Sequence, residues 1–318
     1  MKAMILAAGF GNRMKPLSDR CPKPLMPIIG RPAIDYTIEH LKRASVSKIG
    51  VNTHYQADRI KTYLGDGSNW KIEIAISHEN KILGTAGGMA AMSKFLSDEG
   101  PFFVCNGDIL SEIILSELIA FHSCRGAMVT LALCDHPSKN NVCIDSGEAV
   151  VDFWGRRGAF QPGKHKNLAF TGISIVDPEI LNLVFHVQSD NIIEVYLDLI
   201  KKKSGSVLGY DVKGTYWIDI GTPSSYLQAH HDILVNGKMN QLSKKNRQTS
   251  LHMEIGSIIE TGARLEGFVS LGRDCLVKKN TFLKNCVVWN NSVVEEGTCL
   301  ENGVIDGPWK YRIPYEKE

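Results

Sequence analysis

The sequence predicts an α/β protein: a mostly parallel sheet with helices on both faces, followed by a short left-handed β-helix of hexapeptide repeats. Three observations point there. Apolar runs of strand length alternate with stretches of helical spacing from Met1 to Leu234. A polar, basic stretch, Asn236 to Ser250, then breaks the pattern, and beyond it small or branched residues recur at every sixth position. At 318 residues the chain also exceeds what one hydrophobic core usually fills. The expected division is a first domain over 1–236, a linker over 237–250 and a repeat domain over 251–318.

In chain order, the apolar run Ala3 to Ala8 predicts one buried parallel strand, stopped by Gly9. Gly9 and Gly11 lack Cβ atoms, so the backbone there can take positive φ and bring N–H groups close to an anion or a base. Arg13 and Lys23 add positive charge, and Pro16, Pro22, Pro24 and Pro27 fix φ repeatedly, which predicts a stiff, extended loop suited to a polyphosphate. Pro32 stands at a first helical position, with Ile34, Ile38 and Leu41 at helical spacing and a strand at Ile49 to Asn52. Ala57 to Leu64 reads as helix, Lys71 to Ser77 as strand, Gly88 to Leu96 as helix and Phe102 to Cys105 as a strand ending in Asn106-Gly107-Asp108. This βαβ rhythm is Rossmann-like and places ligands at the carboxyl ends of the strands.

Further on, Ala127 to Leu133 and Val150 to Trp154 are strand-like, and Pro162 to Asn167 reads as a polar loop. Leu168 to Val176 is again a strand, and its internal Gly172 marks close backbone approach. Val207 to Val212 and Tyr216 to Ile218 follow as strands, and Pro223 to Leu234 as a helix with Thr222 as N-cap. In the repeat region Ala263, Val269, Cys275, Thr281, Val287, Val293 and Cys299 keep the six-residue phase, with Leu265, Leu271, Val277, Leu283 and Trp289 two positions after the first five. Roughly two to three coils result, too few to be stable alone, so the repeats are expected to pack on the first domain or to join copies of the chain as a homo-oligomer.

Composition excludes several classes. With 43% hydrophobic and 22% charged residues and a net charge of +2, neither a disordered chain nor an electrostatic nucleic-acid binder is indicated. No apolar run has the length of a membrane span, and MKAMILAAG carries no cleavable signal pattern, so a cytoplasmic protein is expected. The eight cysteines form no C-x-x-C pair, which predicts reduced, buried thiols.

Two phosphate motifs fail against the opening loop. The dinucleotide fingerprint needs a glycine where Met14 stands, and the Walker G-x-x-x-x-G-K-[ST] is absent. What remains, G-x-G-x-R-M followed by P-K-P-L-x-P, resembles the signature of the sugar-1-phosphate nucleotidyltransferases. The stretches ILGTAGGM (Ile82 to Met89), CNGDIL (Cys105 to Leu110) and WIDIGTPSSYLQAH (Trp217 to His230) extend the likeness.

The resemblance implies an enzyme that joins a nucleoside triphosphate to a sugar 1-phosphate and releases pyrophosphate, with Mg²⁺ as cofactor. It implies nucleotide contacts from Ala7, Ala8, Gly9, Gly11, Gly84 and Thr85, and base reading by Glu79. Arg13 would hold the leaving pyrophosphate and Lys23 the α-phosphate. Asp108 and Asp219, each at a strand end beside a glycine, would hold the ion. Asn106, the Gly172 backbone and Glu194 would contact the acceptor sugar, with Asn52 and His54 lining the same cleft and a sugar-binding insertion between Leu131 and Thr171.

One departure stands out. Many members carry a Glu-Lys pair before the Thr-Gly strand, where this chain has Arg156-Arg157, Lys164 and Lys166. The opening MKAMILAAGFG, Asp66 to Ser68 and FTGI at Phe170 to Ile173 are similar to bacterial enzymes that make GDP-mannose or that charge muramate-type sugars with UTP. A hexapeptide-repeat acyltransferase and a non-catalytic nucleotide-sugar sensor are the competing classes.

Overall fold

The strand Lys2–Leu6 (β1) sits inside a sheet because four of its five residues are buried. It pairs in parallel with Lys48–Thr53 (β2) on one side and with Phe102–Asn106 on the other, so that Ile5 lies between Val51 and Cys105. Glu73–His78 (β3) extends this run beyond β2, also in parallel. The structure is a computed structural model describing residues 1–98, 100–136, 138–184, 190–239 and 250–314. It divides into two compact units, Met1–Phe10 with Thr37–Trp217, and Gly11–Tyr36 with Ile218–Glu318.

In the first unit, Phe102–Asn106 (β4) marks the end of the parallel run. The twelve-residue strand His165–Val176 (β8) is antiparallel to β4, to Val129–Cys134 (β5) and to Val142–Asp145 (β6). Val150–Phe153 (β7) is antiparallel to β6, and Val207–Asp211 (β9) is parallel to β5. The sheet is therefore mixed where a mostly parallel one was expected. The connections from β6 through β7 to β8 contain no helix, and a parallel neighbour needs a crossover of a dozen or so residues, usually helical. The polar segment expected as a loop over Pro162 to Asn167 already belongs to β8 from His165 on, paired with β6.

The expected helices form at Ala33–Arg43 (α1) and Ala57–Leu64 (α2). The single helix expected over Gly88 to Leu96 begins earlier and breaks, giving Gly84–Ala91 (α3) and a one-turn helix Ser93–Leu96. Leu115–Arg125 (α4) and Ile192–Lys202 (α5) were not legible as separate helices. The first core gathers Met4, Met89, Phe102, Leu131, Phe153 and Tyr196, joining α3 and α5 to the sheet.

In the second unit, the proline-rich segment is not extended throughout. It coils into three tight turns, Asn12–Met14, Leu17–Arg20 and Lys23–Leu25, with Met14 and Leu17 fully buried. A φ locked near that of a helical turn suits such turns as well as extended chain. The helix Pro223–Leu234 (α6) starts at Thr222 with a capping box, as its sequence predicts.

The repeat region forms a five-stranded and a three-stranded sheet. Leu251 stands opposite Val269 and Leu265 opposite Leu283, eighteen positions on, or three hexapeptides. From Val269 the partner is Cys286, only seventeen on, and Leu283 faces Leu300 at the same spacing. The register slips because Gly267 and Phe268 together oppose the single Asn285, as in a β-bulge. Gly267 takes φ +61°, and a Cβ there would lie 2.1 Å from Asn285 Oδ1.

The expected phase over seven repeats thus breaks after Thr281. Cys286, Ser292 and Thr298 are buried one position ahead of it, and of the expected residues Val287 is still buried while Val293 is 39% exposed and Cys299 lies at the surface. Leu271, Val277 and Leu283 are fully buried in one stack, with Leu265 partly buried beside them.

The expected domain boundary at residue 236 also differs from the observed division. Gly11–Tyr36 and α6 group with the repeat strands, because Tyr226 bonds to Trp289, His230 stacks on Phe268 and Arg20 pairs with Asp306. Most of the expected linker, 240–249, lies outside the described residues. Among the described residues no helix is long and apolar enough to cross a membrane. None of the eight cysteines forms a disulfide, six of them are buried, and burial pushes the Cys105 thiol up to about 12.

Candidate active site

In the first unit the carboxyl end of β1 is held by a buried polar chain. The Ala7 N–H donates to Asn52 Oδ1 at 2.9 Å, and Asn52 Nδ2 donates to Glu79 Oε1 at 2.8 Å. Glu79 Oε2 accepts from the Leu83 N–H, 2.8 Å away, just before α3. His54 Nδ1 lies 2.8 Å from the Glu79 carbonyl oxygen, an acceptor only, so that nitrogen carries the proton. Phe10, 40% exposed, meets the His54 ring edge-on at 5.2 Å. Glu79, expected to meet a base edge, is instead 2% exposed with both oxygens accepting from the protein's own donors. Asn52, a peripheral residue on sequence grounds, is the centre of this chain.

Glycines let the elements close around it. A Cβ at Gly88 would come within 2.7 Å of Asn52 Nδ2 and 3.1 Å of Glu79 Oε1, so α3 lays bare backbone on the network. Gly84 takes φ +68°, and its missing Cβ would lie 2.3 Å from the Asp190 carbonyl oxygen. Thr85 Oγ1 accepts from the Ile192 N–H at 2.8 Å, tying α3 to the start of α5. Ala7 and Ala8 are buried, whereas Gly9 is exposed.

Beside Thr85 opens a cavity of about 180 Å³. Asn106, Asn141, Ser174 and Asn191 supply neutral polar groups, and Phe153, Phe170, Ile192 and Tyr196 supply apolar wall. No carboxylate and no cation is among its lining residues. Gly172 lines it with φ +76°, where a Cβ would stand 2.6 Å from Asn106 Nδ2. Trp154, also in the wall, was missed by sequence reasoning: it is 54% exposed and holds a left-handed φ of +52°. Such backbone is uncommon for a bulky residue and concentrates at ligand clamps. The nearest signal in the sequence was the departure that begins two residues on, at Arg156-Arg157.

Glu194 does not line this cavity; it sits in the first turn of α5 and pairs with Arg156. Of the other cations in that stretch, Lys166 pairs with Asp211 at 2.8 Å and Arg157 donates to the Val151 carbonyl at 3.0 Å. Asp108 follows β4 in a turn pinned by the Gly107 N–H, which donates to the Leu6 carbonyl at 3.0 Å.

The second unit holds Gly11, Arg13, Lys23 and Asp219. Gly11 takes φ +69°, and a Cβ there would press on Ser18 Cβ at 3.1 Å and on Lys23 Cγ at 3.2 Å. Only glycine allows that turn against the lysine stem. Arg13 Nη2 lies 3.9 Å from Asp219 Oδ2, with 69% of the arginine side chain exposed. A Cβ at Gly221 would be 2.8 Å from Asp219 Oδ1 and 2.9 Å from Arg13 Nη2.

Among the described residues no three His, Cys, Asp or Glu side chains assemble as a metal cage. Asp108 and Asp219, one in each unit, are hard oxygen donors of the kind Mg²⁺ takes in ones and twos, with phosphate oxygens and water completing its octahedron.

The nucleotidyl transferase family matches residues 2–236. Mannose-1-phosphate guanylyltransferase 1 of Arabidopsis thaliana is 30% identical over 320 residues, covering 96% of this chain and 86% of the relative. UTP–glucose-1-phosphate uridylyltransferase of Synechocystis is 28% identical, covering 96% of this chain and 87% of that one. Among solved structures, a putative glucose-1-phosphate thymidylyltransferase from Bacillus anthracis superposes with a TM-score of 0.62 at 18% identity, over 72% of this chain and 94% of its own. The chain belongs to the nucleotidyl transferase family. It is, more narrowly, a sugar-1-phosphate nucleotidyltransferase, an enzyme of the transferase class.

Proposed function

We propose that the enzyme acts as a mannose-1-phosphate guanylyltransferase, converting GTP and a neutral hexose 1-phosphate to a GDP-hexose and pyrophosphate in the cytoplasm. The observation that carries this reading is the cavity beside Thr85: neutral amides, a serine and an aromatic wall suit an uncharged hexose ring, and nothing among its lining residues would pair with the carboxylate of a muramate-type sugar. Relatives 30% identical and named for mannose-1-phosphate support the same choice. UTP with glucose 1-phosphate is the second reading, favoured by the Synechocystis relative.

In this reading a phosphate oxygen of the sugar 1-phosphate attacks the α-phosphorus in line, and pyrophosphate leaves. The nucleophile is already an anion, so positioning and charge neutralisation supply the rate. Backbone groups of Ala7, Ala8, Gly9 and Gly11 receive the nucleotide, with Gly84 and Thr85 beside it. Arg13 neutralises the leaving pyrophosphate and Lys23 the α-phosphate. Asp108 and Asp219 hold Mg²⁺, which supplies Lewis-acid polarisation of the phosphoryl group when bound. Asn106 and Gly172 meet the sugar, Trp154 stacks on its apolar face, and Glu194 aims Arg156 at its phosphate. Glu79 shapes the base pocket through Leu83 and Asn52. The repeat strands form a left-handed β-helix that joins copies of the chain.

The test is a matrix of the four NTPs against mannose, glucose, glucosamine, glucuronic acid and N-acetylmuramic acid 1-phosphates, read as pyrophosphate release. GTP with mannose 1-phosphate is expected to lead. Preference for an ionised sugar would overturn the reading of the cavity, and release with UTP and glucose 1-phosphate alone would favour the second reading.

A further inference from the structure

The segment that carries Arg13 and Lys23 is bonded to α6 and the repeat strands, from residues nearly two hundred positions or more away in sequence. Tyr226, fully buried on α6, donates its hydroxyl proton to the Pro27 carbonyl at 2.6 Å. The Tyr226 hydroxyl oxygen in turn accepts from Trp289 Nε1–H at 3.0 Å. One turn on, His230 Nδ1–H donates to the Tyr226 carbonyl at 3.0 Å, while its Nε2 faces the Ile29 N–H at 3.5 Å. Its ring stacks on Phe268, the residue that the bulge inserts. Between Arg13 and Lys23, Arg20 Nε donates to Asp306 Oδ2 at 2.7 Å.

We infer that Trp289, Tyr226 and the Arg20–Asp306 pair are positioning residues for the phosphate-binding cations, making the repeat strands part of the catalytic apparatus. This rests on the reading that Arg13 and Lys23 act on the triphosphate. The transmission is mechanical. Pro22, Pro24 and Pro27 stiffen the chain between Lys23 and the anchored carbonyl, and Met26, fully buried, accepts from the Ala33 N–H at 3.0 Å. Lys23 therefore has little freedom independent of Pro27. Its stem also lies against Gly11, two residues before Arg13. A displacement at Tyr226 reaches both charges, and phosphoryl transfer is sensitive to misplacement of that size.

The experiment uses the full chain carrying Tyr226→Phe, Trp289→Phe, both together, and Asp306→Asn, each assayed for kcat, both KM values and thermal midpoint. Tyr226→Phe is expected to lower kcat roughly tenfold or more with the sugar 1-phosphate KM within about twofold of the parent. The double variant is expected to lose no more than Tyr226→Phe alone, because both changes act through one oxygen. Asp306→Asn, which keeps the side-chain shape at a partly exposed position, is expected to lower kcat several-fold, and pairing it with Arg20→Gln adds nothing.

Unchanged kcat in Trp289→Phe and Asp306→Asn overturns the inference, as do losses that add across the double variants and track the thermal midpoint. A parent enzyme that releases no pyrophosphate with any substrate pair overturns the functional reading and this inference together. Normal parent turnover with unaltered variants overturns this inference alone.

Discussion

The two regions assigned to the nucleotide are held in opposite ways. The end of β1 is fixed by a short hydrogen-bonded chain, Ala7 to Asn52 to Glu79 to Leu83, buried as far as Glu79 and all within the first unit. The cationic segment Gly11–Tyr36 is fixed by α6 and the repeat strands, through a buried Tyr226 and a half-exposed ion pair. The first arrangement is local and satisfies every partner in low dielectric, so it is costly to disturb. The second reaches across the sequence and ends in exposed charges, so it can shift without unfolding the chain. Damage to the first should register in nucleotide KM and stability, and damage to the second in kcat.

The largest expected effect tests both regions at the proposed metal ligands. Asp108→Asn and Asp219→Asn are each expected to cut turnover by about 10²- to 10³-fold with the fold intact, since an amide keeps shape and removes the anionic oxygen. Near-normal turnover at low Mg²⁺ in both would remove the metal assignment.

Gly221→Ala addresses the second region alone. The added methyl meets Asp219 and the flexible end of Arg13, so kcat should fall about tenfold while circular dichroism and thermal midpoint stay near those of the parent. In the first region, Glu79→Gln leaves one buried donor facing an amide nitrogen, which should cost about 1–3 kcal/mol of stability and raise nucleotide KM with little change in kcat. Denaturant unfolding and initial rates separate the two outcomes, and a kcat-only effect would erase the contrast drawn above. Trp154→Ala should raise the sugar 1-phosphate KM several-fold and leave the NTP KM alone, as loss of one stacked face implies.

The smallest expected effect is in pH. Burial lowers the His230 pKa from 6.5 to about 4, so the unfolded chain takes up the proton first. Its stabilisation is complete above about pH 7 and is lost as pH falls from 6.5 towards 4, up to about 3 kcal/mol in all and only a fraction of that at pH 6. His40 and His122, lowered by burial in the first unit, act in the same direction. Replacing His230 by Gln should flatten the slope of stability between pH 6.5 and 4, and an unchanged slope would assign it to the other histidines.

Much of the architecture was legible in particular residues. The run Ala3 to Ala8 announced a buried strand, Thr222-Pro223 announced the start of α6, and the six-residue period announced stacked parallel strands in the C-terminal part. Positive φ was expected at Gly9 and Gly11, and Gly11 has it whereas Gly9 does not. Less visible was what each glycine approaches: Gly172 admits the Asn106 side chain, and Gly84 admits the Asp190 backbone. Trp154 left only a broken motif as its trace.

What the amino-acid order determined by itself was whatever depends on near neighbours: strand and helix periods, turn chemistry, helix caps and the signature that marks the enzyme family. Those follow from sterics and hydrogen bonding within a few residues of each position. Only the tertiary structure decided that β8 runs antiparallel, that the repeat slips by one residue at Phe268, that Glu79 is enclosed by its own donors, and that Arg13 and Lys23 ride on a segment bound to the repeat strands. The reason is separation. Pro27 meets Tyr226 across 199 positions and Arg20 meets Asp306 across 286, and no local pattern encodes a partner at that distance, because it is chosen by which surfaces bury each other once the sheets have formed.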